Sequence, residues 1–353
     1  MGPKIAIIGG GIGGLTAAVA LARKGLAAEV FEQAPVLEEV GAGVGLWPNA
    51  LTALAPIGLA GKVAQLAVKL AGQGIKRPDG GWLLCIPGEV MTQRWGAGLV
   101  LVHRAELQRL LVNELGPSFI HLGARCTGFV DSGQAVTAHF ADGRKVQADV
   151  LVGADGVHSA VRVQLFGPAA LRYRGYTAVR SITPAGSVPL PRDGIETWGQ
   201  GARFGLGPTS GDRVIWYAMW NAAEGGHDAG DTAARVRELF GGWHEPIPAI
   251  IAATPAAAMI RNDIYDRRPA RTWSRGRVAL AGDAIHPMTL DLAQGACQAI
   301  LDATTLMARN MGAMGQWKGH TACTARNALI RSIPLPLQLR QFDLVLGAPR
   351  QAS

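Results

Sequence analysis

Charge and cysteine are both scarce in this chain. Only 17% of its 353 residues are Asp, Glu, Lys or Arg, against 48% hydrophobic. A disordered chain shows the reverse balance, so this composition excludes one and implies a large buried core. The four cysteines, Cys85, Cys126, Cys297 and Cys323, are far apart and form no C-x-x-C. That offers neither a zinc site nor a disulfide framework, and it suits a reducing, cytoplasmic setting with no bound metal. Beyond the N-terminal stretch, no uninterrupted apolar run is long enough to cross a bilayer, which argues against an integral membrane protein. Internal repeats, low-complexity linkers and polybasic runs are also missing. The net charge of +8, with a pI near 9.7, therefore comes from scattered arginines. It describes a surface suited to anionic cofactors and substrates, and no nucleic-acid partner is expected.

Glycine is plentiful, and its placement organises the chain. An apolar run, Ile5-Ala6-Ile7-Ile8, leads into Gly9-Gly10-Gly11-Ile12-Gly13-Gly14. An Ala/Leu-rich helix follows and stops at Gly25, and a second short strand ends on Glu32. Gly9, Gly11 and Gly14 form G-x-G-x-x-G. The first glycine permits a tight turn, the second lets backbone approach a pyrophosphate, and the third lets helix and strand pack closely. The helix start then faces the phosphates with free N–H groups. A carboxylate at Glu32 is placed to accept hydrogen bonds from ribose hydroxyls. A signal peptide would need its greasiest segment where the glycines cluster, so that reading is set aside.

Further along, residues 41–50 are too glycine-rich for a helix and read as a loop, while 50–59 show a helical pattern ending at Gly61. Residues 72–100 suggest strands and turns. A helix beginning near His103-Arg104 runs to Leu115 and is stopped by Gly116-Pro117. Residues 120–126, 136–140 and 145–150 read as strands, with Asp142-Gly143 as a hairpin turn. The apolar run at 149–153 predicts a buried parallel strand that ends in Gly153-Ala154-Asp155-Gly156. Residues 173–259 alternate and are rich in Trp and Tyr, which predicts an antiparallel sheet with a helix near 232–239. Residues 277–281 repeat the buried-strand pattern and end in Gly282-Asp283, and a helix begins near Gln294-Gly295. The last forty residues look helical, broken by Pro334 and Pro336.

Four separated motifs keep one order: Gly9-x-Gly11-x-x-Gly14 with Glu32, His103-Arg104-x-x-Leu107, Gly153-Ala154-Asp155-Gly156, and Gly282-Asp283-x-x-His286-Pro287. Over residues 4–308 the set resembles the class A flavoprotein aromatic monooxygenases of the para-hydroxybenzoate hydroxylase fold, most of all the salicylate- and urate-hydroxylase-like enzymes. The resemblance implies an α/β protein. Residues 1–72, 101–175 and 271–308 would form a discontinuous, Rossmann-like FAD-binding domain. Residues 73–100 and 176–270 would form an inserted antiparallel-sheet substrate domain, and 309–353 a C-terminal helical segment. It implies FAD as cofactor, NADH or NADPH as cosubstrate, and a monomer or homodimer that takes a small aromatic substrate and O2. The reaction would be ring hydroxylation by way of a flavin C4a-hydroperoxide. Epoxidation, dearomatisation and antibiotic modification on the same fold are the alternatives, together with a catalytically impaired flavin-binding protein.

Carried over by position, Gly9, Gly11, Gly13 and Gly14 would hold the pyrophosphate. Glu32 would bind ribose beside Gln33. Gly45 would line the flavin, Arg104 would contact FAD, and the Cys126 backbone would meet adenine. Asp155 and Asp283 would serve FAD and its hydroxyls, and Gly295 and Ala296 would offer N–H groups to the isoalloxazine. Arg203 and Asp291 would be catalytic, facing the substrate from opposite sides, with the cation favouring an anionic ring. His286 reads as a satisfied turn histidine. Leu290, Ala293 and Leu301 depart from the family's usual proline, glycine and glutamate.

Overall fold

The computed structural model describes residues 3–37, 43–226, 232–268 and 270–307. The strand Ile5–Ile8 lies at the heart of a six-stranded sheet, between Val150–Gly153 and Ala28–Phe31. Beyond these lie Val278–Leu280 and the edge strand Ser274–Arg275 on one side, and Ile120–His121 on the other. All neighbours run parallel except Ser274–Arg275. Every residue of Ile5–Ile8 and of Val150–Gly153 is buried, as expected of strands covered on both faces. Alternate side chains serve two cores. Ile5, Ile7 and Val152 pack with the helix Ile12–Ala22, while Ala6, Ile8 and Leu151 pack against Phe129, Val136 and Phe140 of a three-stranded antiparallel sheet.

That second sheet contains the predicted hairpin, turning at Gly143 with φ 87°. The single strand expected at 120–126 is two. Ile120–His121 pairs in the parallel sheet, the chain turns at Gly123 (φ 65°), and Cys126–Asp131 pairs in the antiparallel one. The helix expected at 50–59 also ends early. Pro48–Leu54 passes through a short 3-10 turn to Gly58 at φ 74°, and a fresh helix, Ala60–Leu66, contains Gly61. In both places a left-handed backbone that glycine alone adopts cheaply ends the element. Gly43–Leu46, read as loop, is a strand antiparallel to Val100–His103. Gly88–Trp95, within the stretch read as strands and turns, is a helix.

A seven-stranded sheet is ordered Ile260–Asp266, Arg172–Ile182, Arg213–Asn221, Ala202–Thr209, Gly194–Trp198, Gly72–Lys76, Trp82–Pro87. Its pairs are antiparallel save Gly194–Trp198 with Gly72–Lys76. One face is packed under the helices Thr232–Phe240 and Ile247–Ala253. There Phe204 and Trp216 stack at 5.3 Å and Phe240 crosses them. Strand alternation sends Tyr217 and Met219 to the other face. The strand Gly43–Leu46 abuts that face so closely that a Cβ on Gly43 would overlap the Ile215 side chain. Trp82–Pro87 is an outer edge with no further strand among the described residues, and Trp82, Leu83 and Leu84 are exposed on it. The expected C-terminal helical segment lies outside the described residues.

Candidate active site

The helix Ile12–Ala22 begins after Gly11 with no side-chain cap. Its first N–H groups are therefore left for a ligand, which at a helix N-terminus favours an anion. Gly9 has φ 112°, and a Cβ there would overlap the Ala154 carbonyl oxygen. A Cβ on Gly14 would overlap the Gly9 carbonyl oxygen, whereas one on Gly11 would meet nothing within 4 Å. Gly14 is thus a packing glycine, and Gly11 opens onto space. Gly13 also lies inside the helix, where a Cβ would sit 3.1 Å from Ala299 Cβ. Glu32 accepts the Gly10 N–H at 2.6 Å through one oxygen and the Ala34 N–H at 2.9 Å through the other.

Gly9, Gly11, Glu32, Gln33, Cys126 and Asp155 line one cleft of about 260 Å³ at the carboxyl end of the parallel strands. Asp155 accepts Ser159 Oγ–H at 2.5 Å and the Val161 N–H at 3.2 Å, so it fastens the start of the helix Ala160–Phe166. Burial raises its carboxyl pKa against those hydrogen bonds, and burial likewise raises the Cys126 thiol. The cleft, the uncapped helix and the empty space before Gly11 fit the adenosine and pyrophosphate of a dinucleotide.

The crevice continues past Ala299, which touches both Gly13 and Gly282. Asp283 follows in a short 3-10 turn. It is exposed by area, yet burial raises its carboxyl pKa, while His286 and Arg104 pull it down. A concave setting reconciles the two: solvent reaches Asp283, but protein crowds it. Arg104 opens the helix Arg104–Leu115, which His103 caps by accepting the Ala105 N–H at 3.2 Å. His286 bonds Asp302 at 2.6 Å, and Asp302 also accepts the Gly282 N–H at 2.8 Å. Burial lowers the His286 pKa, but the Asp302 hydrogen bond and charge outweigh it, and the net shift is upward. One nitrogen of His286 is thus satisfied, while its buried Nδ1 has no hydrogen-bond partner among the described residues. Gly295 and Ala296 form the first turn of the helix Gly295–Leu301, and Gly45 approaches Ala293, with a Cβ on Gly45 3.8 Å from the Ala293 methyl.

Arg203 and Asp291 do not stand apart across a ring. The Arg203 guanidinium donates directly to Asp291, so this pair closes part of the crevice. Tyr176 donates to the other Asp291 oxygen at 2.8 Å, and Arg203 lies 5.8 Å from the Tyr176 ring. Burial would raise the Asp291 pKa, but hydrogen bonds from Thr289, Arg203 and Tyr176 overcome it and the net shift is downward. Burial, helped by Asp291, pushes the Tyr176 hydroxyl up to about 12. Trp198, Met219 and Asn221 complete a pocket of about 230 Å³ around Tyr176 and Arg203. Sequence reading missed Tyr176, Glu196 and Asp302. The Glu196 contact depends on strand register, which no local pattern in the sequence signals.

A cleft shaped for a dinucleotide at one end and a pocket under an antiparallel sheet at the other give the molecule a two-part site of the cofactor-and-substrate class. The family model for the FAD binding domain matches residues 3–314, and the chain belongs to that family. It is 39% identical to an aurachin C monooxygenase/isomerase of Stigmatella aurantiaca, over 94% of each chain. It is 34% identical to a 6-hydroxynicotinate 3-monooxygenase of Bordetella bronchiseptica, over 86% of this chain and 82% of that one. The fold matches Klebsiella pneumoniae HpxO complexed with FAD and uric acid at a TM-score of 0.84, with 29% identity, over 98% of this chain and 89% of that one. The protein is an FAD-dependent monooxygenase of the kind that acts on aromatic or heteroaromatic rings.

Proposed function

We propose that NADH or NADPH reduces the bound FAD and that one oxygen atom of O2 is then placed on a small ring held between Arg203, Asp291 and Tyr176. FAD supplies the oxygen-activating chemistry when bound; the protein's part is to hold the ring and keep water away. In this reading Gly9, Gly11, Glu32, Gln33, Cys126 and Asp155 hold the adenosine and pyrophosphate. Arg104 and Asp283 hold the middle of the cofactor, and Gly45, Gly295 and Ala296 border the flavin ring. Gly13 and Gly14, which lack side chains where the helix packs closely, turn their N–H groups toward the same pyrophosphate. The parallel-sheet part would hold the cofactor and the seven-stranded sheet would cover the substrate, in a cytoplasmic monomer or homodimer. Among the described residues no helix is long and apolar enough to cross a membrane.

The observation that carries this reading is the Arg203–Asp291–Tyr176 cluster, in which two strands of the seven-stranded sheet meet the turn that leads from Gly282-Asp283 to Gly295. Asp291 already accepts hydrogen bonds from Thr289, Arg203 and Tyr176, and its pKa is lowered. A carboxylate so held is a poor proton acceptor near neutral pH and a good orienting group. Tyr176 stays protonated and donates. Arg203→Met should raise KM and lower coupling while FAD content stays intact. Asp291→Asn should slow oxygen transfer and release more peroxide per NAD(P)H consumed. Each loss should amount to about 2–4 kcal/mol in kcat/KM. Wild-type rate and coupling in both variants would move the ring elsewhere, toward Tyr217.

A further inference from the structure

Arg203 has a second acid. Glu196 Oε1 lies 3.5 Å from Arg203 Nη1, opposite the side that Asp291 takes. The register explains how it reaches. Glu196 stands directly across from Gly205, and Gly205 from Tyr217. A Cβ on Gly205 would overlap the Tyr217 ring, so the missing side chain lets that ring lie flat across the strand toward Glu196. Burial, helped by the Glu196 charge, raises the pKa of the Tyr217 hydroxyl, which stays protonated beside that carboxylate. Formal charges around the pocket are then one positive, Arg203, against two negative, Asp291 and Glu196. Arg180 shares this face, standing across from Tyr217, but it does not line the pocket: it donates to Asn262 at 2.6 Å and lies near Arg104. No other charged side chain lines the pocket among the described residues, and Met219 of its wall packs with Ala178 and Leu290.

Resting on the pocket assignment above, we infer that Glu196 is a specificity-determining residue that makes this site select uncharged rings, such as neutral lactam, amide or phenol types, over ring carboxylates and other anions. A guanidinium already shared by two carboxylates has little attraction left for a third anion, and an added negative charge would meet two of its own sign in a half-buried place. The arginine then acts as a hydrogen-bond donor to a neutral oxygen or nitrogen. Specificity arises from repulsion of the wrong partner as much as from contact with the right one.

The test uses the FAD-loaded enzyme and two probes of nearly the same shape, 2-hydroxybenzamide and 2-hydroxybenzoate. Binding is read from perturbation of the flavin absorption spectrum. The wild type should bind the amide more tightly than the carboxylate. Glu196→Gln should shrink that preference roughly tenfold or more, and Glu196→Asp should restore most of it. A merely structural role for Glu196 would weaken both probes alike and leave their ratio fixed. Tighter binding of the benzoate by the wild type overturns the inference. So does an unchanged ratio in Glu196→Gln while Arg203→Met alters binding. If Arg203→Met leaves both affinities untouched, the pocket assignment itself fails.

Discussion

Glu32 is tied to the glycine turn as well as to whatever lies beyond it. Its carboxylate fixes Gly10 N–H at 2.6 Å, so the acid shapes the loop before any ribose arrives. Glu32→Ala should therefore weaken FAD binding by about 1–3 kcal/mol, through lost charge-assisted bonding and a looser turn. Titration of the apoprotein with FAD measures it, and an unchanged affinity would refute the ribose assignment. At this scale local spacing was readable in the sequence. Gly14 packs on the Gly9 carbonyl, and a G-x-G-x-x-G pattern encodes that contact within six residues, whereas the Ala154 backbone that crowds Gly9 comes from a distant strand end. The Glu196 contacts were not readable, because they depend on which residues three strands set opposite one another. Asp302 was hidden for the same reason: its partners, Gly282 and His286, lie in another element.

At the scale of elements, the turn between Asp283 and the helix Gly295–Leu301 carries a strained residue. Ala293 has φ 49° and ψ 33°, a left-handed conformation that closes the short turn Leu290–Leu292. Relatives were expected to place glycine here, and the geometry shows why. A Cβ in this region costs about 1–2 kcal/mol, partly offset by the greater freedom of glycine in the unfolded chain. Ala293→Gly should accordingly stabilise the protein by about 0.5–1 kcal/mol, measured as a raised urea midpoint at unchanged slope. No gain, or a loss, would mean that the methyl makes contacts worth more than the strain. Leu290, expected to be proline in relatives, packs against the core of Ala178, Met219 and Ile264 instead. Element identity was legible wherever periodicity was long, as in Ile12–Ala22 and Arg104–Leu115. It failed at Gly58 and Gly123, where one backbone angle divides a continuous apolar pattern between two elements.

Across the whole molecule, the fold class followed from buried apolar runs that end in glycine turns, two of them followed by an acid. Their repetition, at residues 5–9, 150–155 and 278–283, marks the parallel strands, and the ends of the first two line the cleft. The seven-stranded sheet was legible as antiparallel, and the strands expected within 72–100 form its outer edge, although the helix Gly88–Trp95 in that stretch was not read. Among the described residues no strand pairs with the outer side of Trp82–Pro87, which is flanked by exposed Trp82, Leu83 and Leu84. Such an edge is a template for a second chain. The practical consequence falls on handling. Concentrated stocks should turn cloudy at temperatures where dilute ones stay clear, since meeting of edges rises with concentration and needs no unfolding. Leu83→Lys, an exposed position on this edge, should keep them clear with turnover unaffected. Light scattering against concentration decides it, and identical curves for the variant and the parent would place the sticky surface elsewhere.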